Sequence, residues 1–272
     1  MQPCDTGHIR VATAAAPLSR SALLSRQFLD RPSIEVAPDL LGCVLEHETA
    51  DGLVAVVLTE VEAYAGDVDP ASHAYRGKTA RNAVMFGPAG HAYVYFTYGM
   101  HFCVNVVCMP PGTASAVLLR AGRVIAGADL ARRRRTASQR AAVPSGLRGE
   151  ELATSDEGRR RAKAARRRAV PDETELARGP ARLCQALGVD RRLDGADLCD
   201  PASPLRLRPP VAGPPGHERG HGGDATARSG EKPLIVTGPR VGVREGADAP
   251  WRFWLDGEPT VSVYRPHQPR RR

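Results

Sequence analysis

The stretch Leu53 to Tyr64, LVAVVLTEVEAY, constrains the fold more than any other part of the sequence. Its leading residues put apolar side chains on both alternating faces, a pattern that suits a strand covered on both sides. Glu60 and Glu62 then break the run at one end, which is how a central strand reads where it leaves the core for a cleft. Two more strand-like runs, His91 to Tyr98 and Met100 to Cys108, are joined through Tyr98-Gly99 as a hairpin, and Ala114 to Arg120 is a further one. Helices are expected at Ser21 to Phe28, ending before Arg31-Pro32, at Asp129 to about Arg140, and over the glycine-bounded Gly179 to Gly188. Pro233 to Tyr264 returns to strands.

The dense middle runs from Leu40 to about Leu130, and the rest is looser. Residues 1–20 read as a disordered tail, 21–265 as one domain, about 141–175 as a basic insertion, about 201–232 as a Pro/Gly-rich insertion and 266–272 as a basic tail. With 272 residues, 42% of them apolar, the chain can build one sizeable core. No apolar run approaches the roughly 18 residues of a spanning helix, so the sequence predicts a soluble protein without membrane partners. The formal charge of +8 is concentrated: Arg132 to Arg168 holds 13 basic and 4 acidic residues. Such a block suits a polyanion or a solvated loop.

The six cysteines form no C-x-x-C pair and have no histidine at metal-ligand spacing, so they read as small buried apolar groups in a reducing compartment. A cytoplasmic (nucleoid-associated) or nuclear location is expected rather than secretion. The apolar Val11 to Leu18 is interrupted by Thr13 and Pro17, which gives only a faint likeness to a targeting segment.

Aromatic residues number 13, yet Phe86, Tyr93, Tyr95, Phe96, Tyr98 and Phe102 fall within 17 positions. Alternation puts Tyr93 and Tyr95 on one face and Tyr98 at the hairpin tip, where no sheet can bury it. The cluster is either a core stripe with one stray residue or a ring-lined site beside the carboxylates, since Tyr64 lies two residues beyond Glu62 on the same face.

The ordered series Thr59-Glu60-Val61-Glu62-Ala63-Tyr64, His73, Thr79-Ala80-Arg81-Asn82, Met85-Phe86, Tyr93 through Asn105, and Leu118-Leu119-Arg120-Ala121 closely resembles the alkyladenine (3-methyladenine) DNA glycosylases. The likeness continues through Gly179 to Leu187, Arg240-Val241-Gly242-Val243 and Arg252-Phe253-Trp254. It implies an α+β fold: a single mixed domain with a curved, largely antiparallel central sheet, flanking helices and a protruding β-hairpin. It also implies that neither metal nor cofactor is needed.

The resemblance assigns roles that the chemistry makes sense of. A glycosidic bond inside a duplex cannot be reached until the nucleotide is flipped out and the gap is filled. Tyr98 matches the family's intercalating wedge, and Tyr64, His73 and Tyr95 match rings that stack on the extruded purine. Glu62 matches the general base. Glu60 is its rival on the same face, more suited to ordering the strand end or pairing with an arginine. Arg120 matches the pocket arginine expected to keep Glu62 ionised, and the backbone around Val241 is expected to help place the water. Asn105 stands at the selectivity position, crowding the 2-amino group of guanine; on the residues alone it could equally be a cross-strand hydrogen bond. Lys78, Thr79, Arg81 and Met100 belong to segments expected on the DNA backbone. The resemblance thus implies a monofunctional, monomeric glycosylase for alkylated or deaminated purines in double-stranded DNA. The reading from another class is a non-catalytic damaged-DNA or nucleic-acid-binding protein.

Overall fold

The computed structural model of the protein describes residues 22–97, 100–141, 171–210 and 233–267. Its sheet is organised by β2 (Gly52–Tyr64), the strand in which apolar residues occupy both faces. The first half of β2 pairs with β1 (Val44–Thr49), and its second half lies between β5 (Ser115–Ala126) and β8 (Arg252–Leu255). Outward from β5 come β4 (His101–Cys108) and β3 (Ala92–Thr97), outward from β1 comes β6 (Leu205–Arg208), and β7 (Ile235–Gly238) follows β8. Every pairing among these strands is antiparallel. Register shifts between β2 and β5 around Leu58 and Glu60 bend and twist the strands, and the sheet curls. Gly122 permits their close approach, because a Cβ there would lie 2.4 Å from the Val57 carbonyl oxygen.

Four helices are found among the described residues: α1 (Arg26–Leu29), α2 (Ser33–Asp39), α3 (Ala128–Ala141) and α4 (Pro180–Leu187). The last is delimited by its sequence. Pro180 stands at the first turn, where a missing N–H costs no bond, and Gly188 ends the helix at φ 75°, in the left-handed region. Its Leu183, Cys184, Ala186 and Leu187 are buried against the sheet together with Leu29, Val36 and Leu40 from the N-terminal helices. Truncating one such leucine to alanine costs about 2–5 kcal/mol. The other face carries a smaller cluster of Ala74, Met85, Tyr93, Val107, Ala114 and Ala116, on which the site is built.

Several boundaries differ from the sequence expectation. The helix expected over Ser21 to Phe28 is only Arg26–Leu29, started where the Ser25 hydroxyl accepts from the Phe28 N–H. Prolines at 32 and 38 concealed α2, which has one at its N-cap and one in its last turn. The strand of Ala114 to Arg120 runs on to Ala126. Within the expected Pro/Gly-rich insertion, about 201–232, β6 adds to the sheet edge: Leu205 and Leu207 are fully buried, and Arg206 and Arg208 both reach the Glu46 carboxylate. At the end of the expected basic insertion, about 141–175, Glu175 pairs with Arg178 and Arg182, and the next residue, Leu176, is core. Part of the basic block is structural. Arg134 donates to the Leu187 carbonyl at the end of α4, and Arg135 is buried against Gln185. Beyond β8 the C-terminal stretch to His267 forms no further strand. The N-terminal tail, residues 142–170 and 211–232 of the two insertions, and 268–272 lie outside the described residues. No described helix is long and apolar enough to cross a membrane.

Candidate active site

One row of paired positions crosses five strands and gathers the site. Tyr93 on β3 faces Asn105 on β4, Asn105 faces Leu118 on β5, Leu118 faces Glu62 on β2, and Glu62 faces Arg252 on β8. Directly paired residues project to the same side of a sheet, so these side chains share a face. Arg120 enters from β5, two residues beyond Leu118.

Glu62 is fully buried, and three donors hold its carboxylate. The Val241 N–H donates to Oε1 at 2.7 Å, the Tyr64 hydroxyl donates to Oε2 at 2.9 Å, and Arg120 Nη1 lies 3.2 Å from Oε1. Burial, and next the Glu62 charge, push the Tyr64 phenol well above its ordinary range, so it remains a donor. Val241 is held through its N–H to the carboxylate itself. Glu60, also fully buried, is the second centre. Its Oε1 accepts from Arg120 Nε at 2.8 Å, from Arg252 Nε at 2.7 Å and from the Ser262 hydroxyl at 2.9 Å, while Oε2 accepts from the Ser262 N–H at 2.7 Å. Burial alone would raise this carboxyl, but the two guanidinium groups outweigh it and hold Glu60 below the usual carboxylate range. Arg120 is therefore shared. Its Nε serves Glu60 and its Nη1 serves Glu62, and two buried carboxylates are balanced by two buried arginines.

Rings line the side toward β3. Tyr93 and Tyr95 are stacked with centroids 5.6 Å apart, and His73 stands edge-on to Tyr95 at 4.6 Å with its Nδ1 3.0 Å from the Tyr93 hydroxyl. Burial and then the Arg81 charge lower the His73 imidazole below its ordinary value, so the ring is neutral at pH 7. Asn82 shapes the loop that carries it, donating to the His73 carbonyl at 2.8 Å and accepting from the Thr79 N–H at 2.6 Å. Beside His73 a cleft of about 450 Å³ opens between residues 70–76 and 242–245.

The structure brings Glu62, Tyr64, Tyr95, His73, Arg120, Asn105 and Val241 to this face. Asn105 is buried with its Nδ2 donating to the Tyr93 carbonyl at 3.0 Å, so the cross-strand bond exists whatever else the side chain does. Lys78, Thr79 and Arg81 are exposed on the neighbouring loop, the Thr79 hydroxyl donating to Asn82 Oδ1, and Met100 is exposed just before β4. Tyr98 and the hairpin's projection lie outside the described residues. Arg252, Ser262, Asp69 and Arg240 were given no role from the sequence, although Arg240 and Arg252 stand inside matched motifs. The available signal was an arginine within an apolar strand-like run, which is costly unless a carboxylate awaits it. Among the described residues, no group of three His, Cys, Asp or Glu side chains is arranged to hold a metal ion.

The family profile described as methylpurine-DNA glycosylase matches residues 27–259. A protein of Streptomyces avermitilis is 49% identical over 251 residues, covering 92% of this chain and 95% of its own. One from Leifsonia xyli is 45% identical, covering 86% and 89%, and one from Frankia casuarinae is 44% identical, covering 94% and 99%. Each of the three carries the name "Putative 3-methyladenine DNA glycosylase".

Proposed function

Because the chain belongs to the methylpurine-DNA glycosylase family, we propose that it is a monofunctional DNA glycosylase, acting as a monomer to flip alkylated or deaminated purines from duplex DNA and hydrolyse the N-glycosidic bond. The observation that carries this reading is the buried Glu62 carboxylate, held by three donors beside a wall of Tyr95 and His73 rings. A pocket that only bound nucleic acid would have no use for a desolvated carboxylate, whose burial is costly.

The bond from C1′ to the purine nitrogen breaks with its electron pair leaving on the base, and positive charge builds at the sugar. Glu62 stabilises that charge and takes a proton from the attacking water, whose oxygen bonds to C1′. Arg120 and the Val241 N–H orient the carboxylate, and the backbone around Val241 helps to place the water beside it. Tyr64, Tyr95 and neutral His73 offer π-faces to a cationic or electron-poor base. Asn105 crowds a 2-amino group and so disfavours guanine-type bases. Tyr98 fills the vacated stack, while Lys78, Thr79, Arg81 and Met100 meet the backbone, where phosphate contacts position the duplex without reading sequence.

The test is a panel of duplexes, each carrying one lesion, incubated with the protein, treated with alkali and read for strand cleavage. Cleavage at an alkylated purine or at hypoxanthine supports the reading. Tight binding of lesion duplexes with no cleavage on any of them would instead make the protein a damage-binding module.

A further inference from the structure

Resting on that reading, we propose that the buried Asp69–Arg240 ion pair is the positioning device of the site, fixing two of the three donors on Glu62. Both side chains are fully buried. Arg240 Nη1 donates to Asp69 Oδ2 at 2.6 Å and to the Ala63 carbonyl at 3.0 Å, and Nη2 donates to Asp69 Oδ1 at 2.9 Å and to the Gly246 carbonyl at 3.3 Å. The two terminal nitrogens are thus each committed to two acceptors. Only Nε lacks an acceptor among the described residues. The guanidinium carbon lies over two rings, 4.7 Å from the Tyr64 centroid and 5.0 Å from that of Trp251.

What this pair joins is the argument. Asp69 also accepts from the Ala65 N–H at 3.2 Å and the Ala71 N–H at 3.1 Å, so it ties the end of β2 to the loop leading to His73. The turn between them is tight enough to need glycine: Gly66 has φ 68°, and a Cβ there would lie 1.9 Å from the Ala114 carbonyl oxygen. Arg240 fastens the 240s loop to the same point. The next residue is Val241, whose N–H reaches Glu62, and the ring stacked on Arg240 is Tyr64, whose hydroxyl reaches the other oxygen of Glu62. The third donor, Arg120, is fixed by Glu60 in the same manner. Each donor on the carboxylate therefore stands on a buried ion pair. A buried pair seldom adds stability beyond what apolar residues of the same volume supply, but it specifies one geometry, and here that geometry belongs to the base.

Two variants test the device. Asp69→Asn keeps the shape and removes the charge. Arg240→Lys keeps the charge, but one ammonium cannot span both carboxylate oxygens and two carbonyls, nor stack as a plane on Tyr64. Both are assayed well below their own melting temperatures, at saturating enzyme. Single-turnover excision should fall about 10- to 100-fold, as for reacting groups displaced by about an ångström, while affinity for the abasic product duplex stays within about threefold. In a Tyr64→Phe background the further loss on Arg240→Lys should shrink, because one of the two donors it fixes is already gone. Hydrogen exchange supplies a reading without substrate: the Val241 amide should exchange faster in both variants than in the parent, while amides of α4 are unchanged. Parent excision rates with only a lower melting temperature, or Val241 exchange equal to the parent's in the folded variants, would overturn the inference. The exchange result stands apart from the glycosylase reading, which the lesion panel decides separately.

Discussion

Replacing each site carboxylate by its amide separates the two roles, and the larger stability loss belongs to Glu60. Glu60→Gln leaves Arg120 and Arg252 buried around one remaining carboxylate, so the cluster gains a net positive charge. The amide cannot satisfy its surroundings in either orientation. With its oxygen facing the two Nε–H groups, its NH2 confronts the Ser262 N–H; flipped, it confronts both arginines. Breaking a buried pair in this way costs about 3–5 kcal/mol. In a domain of this size, about 2–4 °C per kcal/mol puts the melting temperature roughly 6–20 °C below the parent's. Glu62→Gln is gentler on the fold, because the amide oxygen still accepts from the Val241 N–H and the amide nitrogen can donate to Tyr64; about 1–2 kcal/mol is lost. Its chemistry is another matter. Without the base, single-turnover excision should fall by at least about 10²-fold while lesion-duplex binding survives. Glu60→Gln should lose about tenfold, since Arg120 keeps its contact with Glu62 but loses the partner on Nε. Thermal unfolding and single-turnover excision on a lesion the panel identifies give both numbers. A Glu60→Gln variant that melts with the parent would refute the buried network, and a dead Glu60→Gln beside a near-normal Glu62→Gln would reverse the assignment of the base.

Asn105→Ser should raise excision of guanine-type bases relative to hypoxanthine; both rates falling in step, with a lower melting temperature, would leave only the tie to the Tyr93 carbonyl. Tyr98→Ala should lose roughly 1–3 kcal/mol of stacking in the flipped complex, seen as weaker extrusion of a flip-reporting fluorescent base; unchanged extrusion with a large drop in melting temperature would make Tyr98 a core residue. His47 is buried with Nδ1 2.8 Å from the Leu187 carbonyl, and burial outweighs that bond to lower its pKa. The unfolded chain therefore takes up a proton near pH 6.5 that the folded one refuses, so stability is full above that pH and falls below it, by up to about 1.4 kcal/mol per pH unit. His47→Gln should flatten the melting profile between pH 7 and 5.5, and an unchanged slope would exclude His47 as the cause.

What the sequence disclosed and what it hid follow from the range of the interactions. The two-faced apolar run of β2 and the alternation of Tyr93 and Tyr95 are local patterns, and periodicity exposes them. Strand β1 was missed because Glu46 and His47 sit in it, and both are buried only by means of distant partners: Arg206 and Arg208 for one, the end of α4 for the other. Strand β6 was hidden for the complementary reason, its arginines reading as a solvated stretch until Glu46 is placed opposite. The site repeats this division. Glu62 and Tyr64 lie two residues apart and were legible as a pair, whereas Glu60 to Ser262 and Asp69 to Arg240 span 202 and 171 residues. Nothing in a local window links them. Under the function proposed above, the nearby residues meet the substrate, and the remote ion pairs set where those residues stand. A charged residue inside an apolar strand is thus a promise of a partner elsewhere in the chain. In this protein the two strand carboxylates and the arginines that answer them lie within one connected network, Arg252 to Glu60 to Arg120 to Glu62, so a perturbation at Ser262 or Arg252 reaches Glu62 without touching the rings beside it.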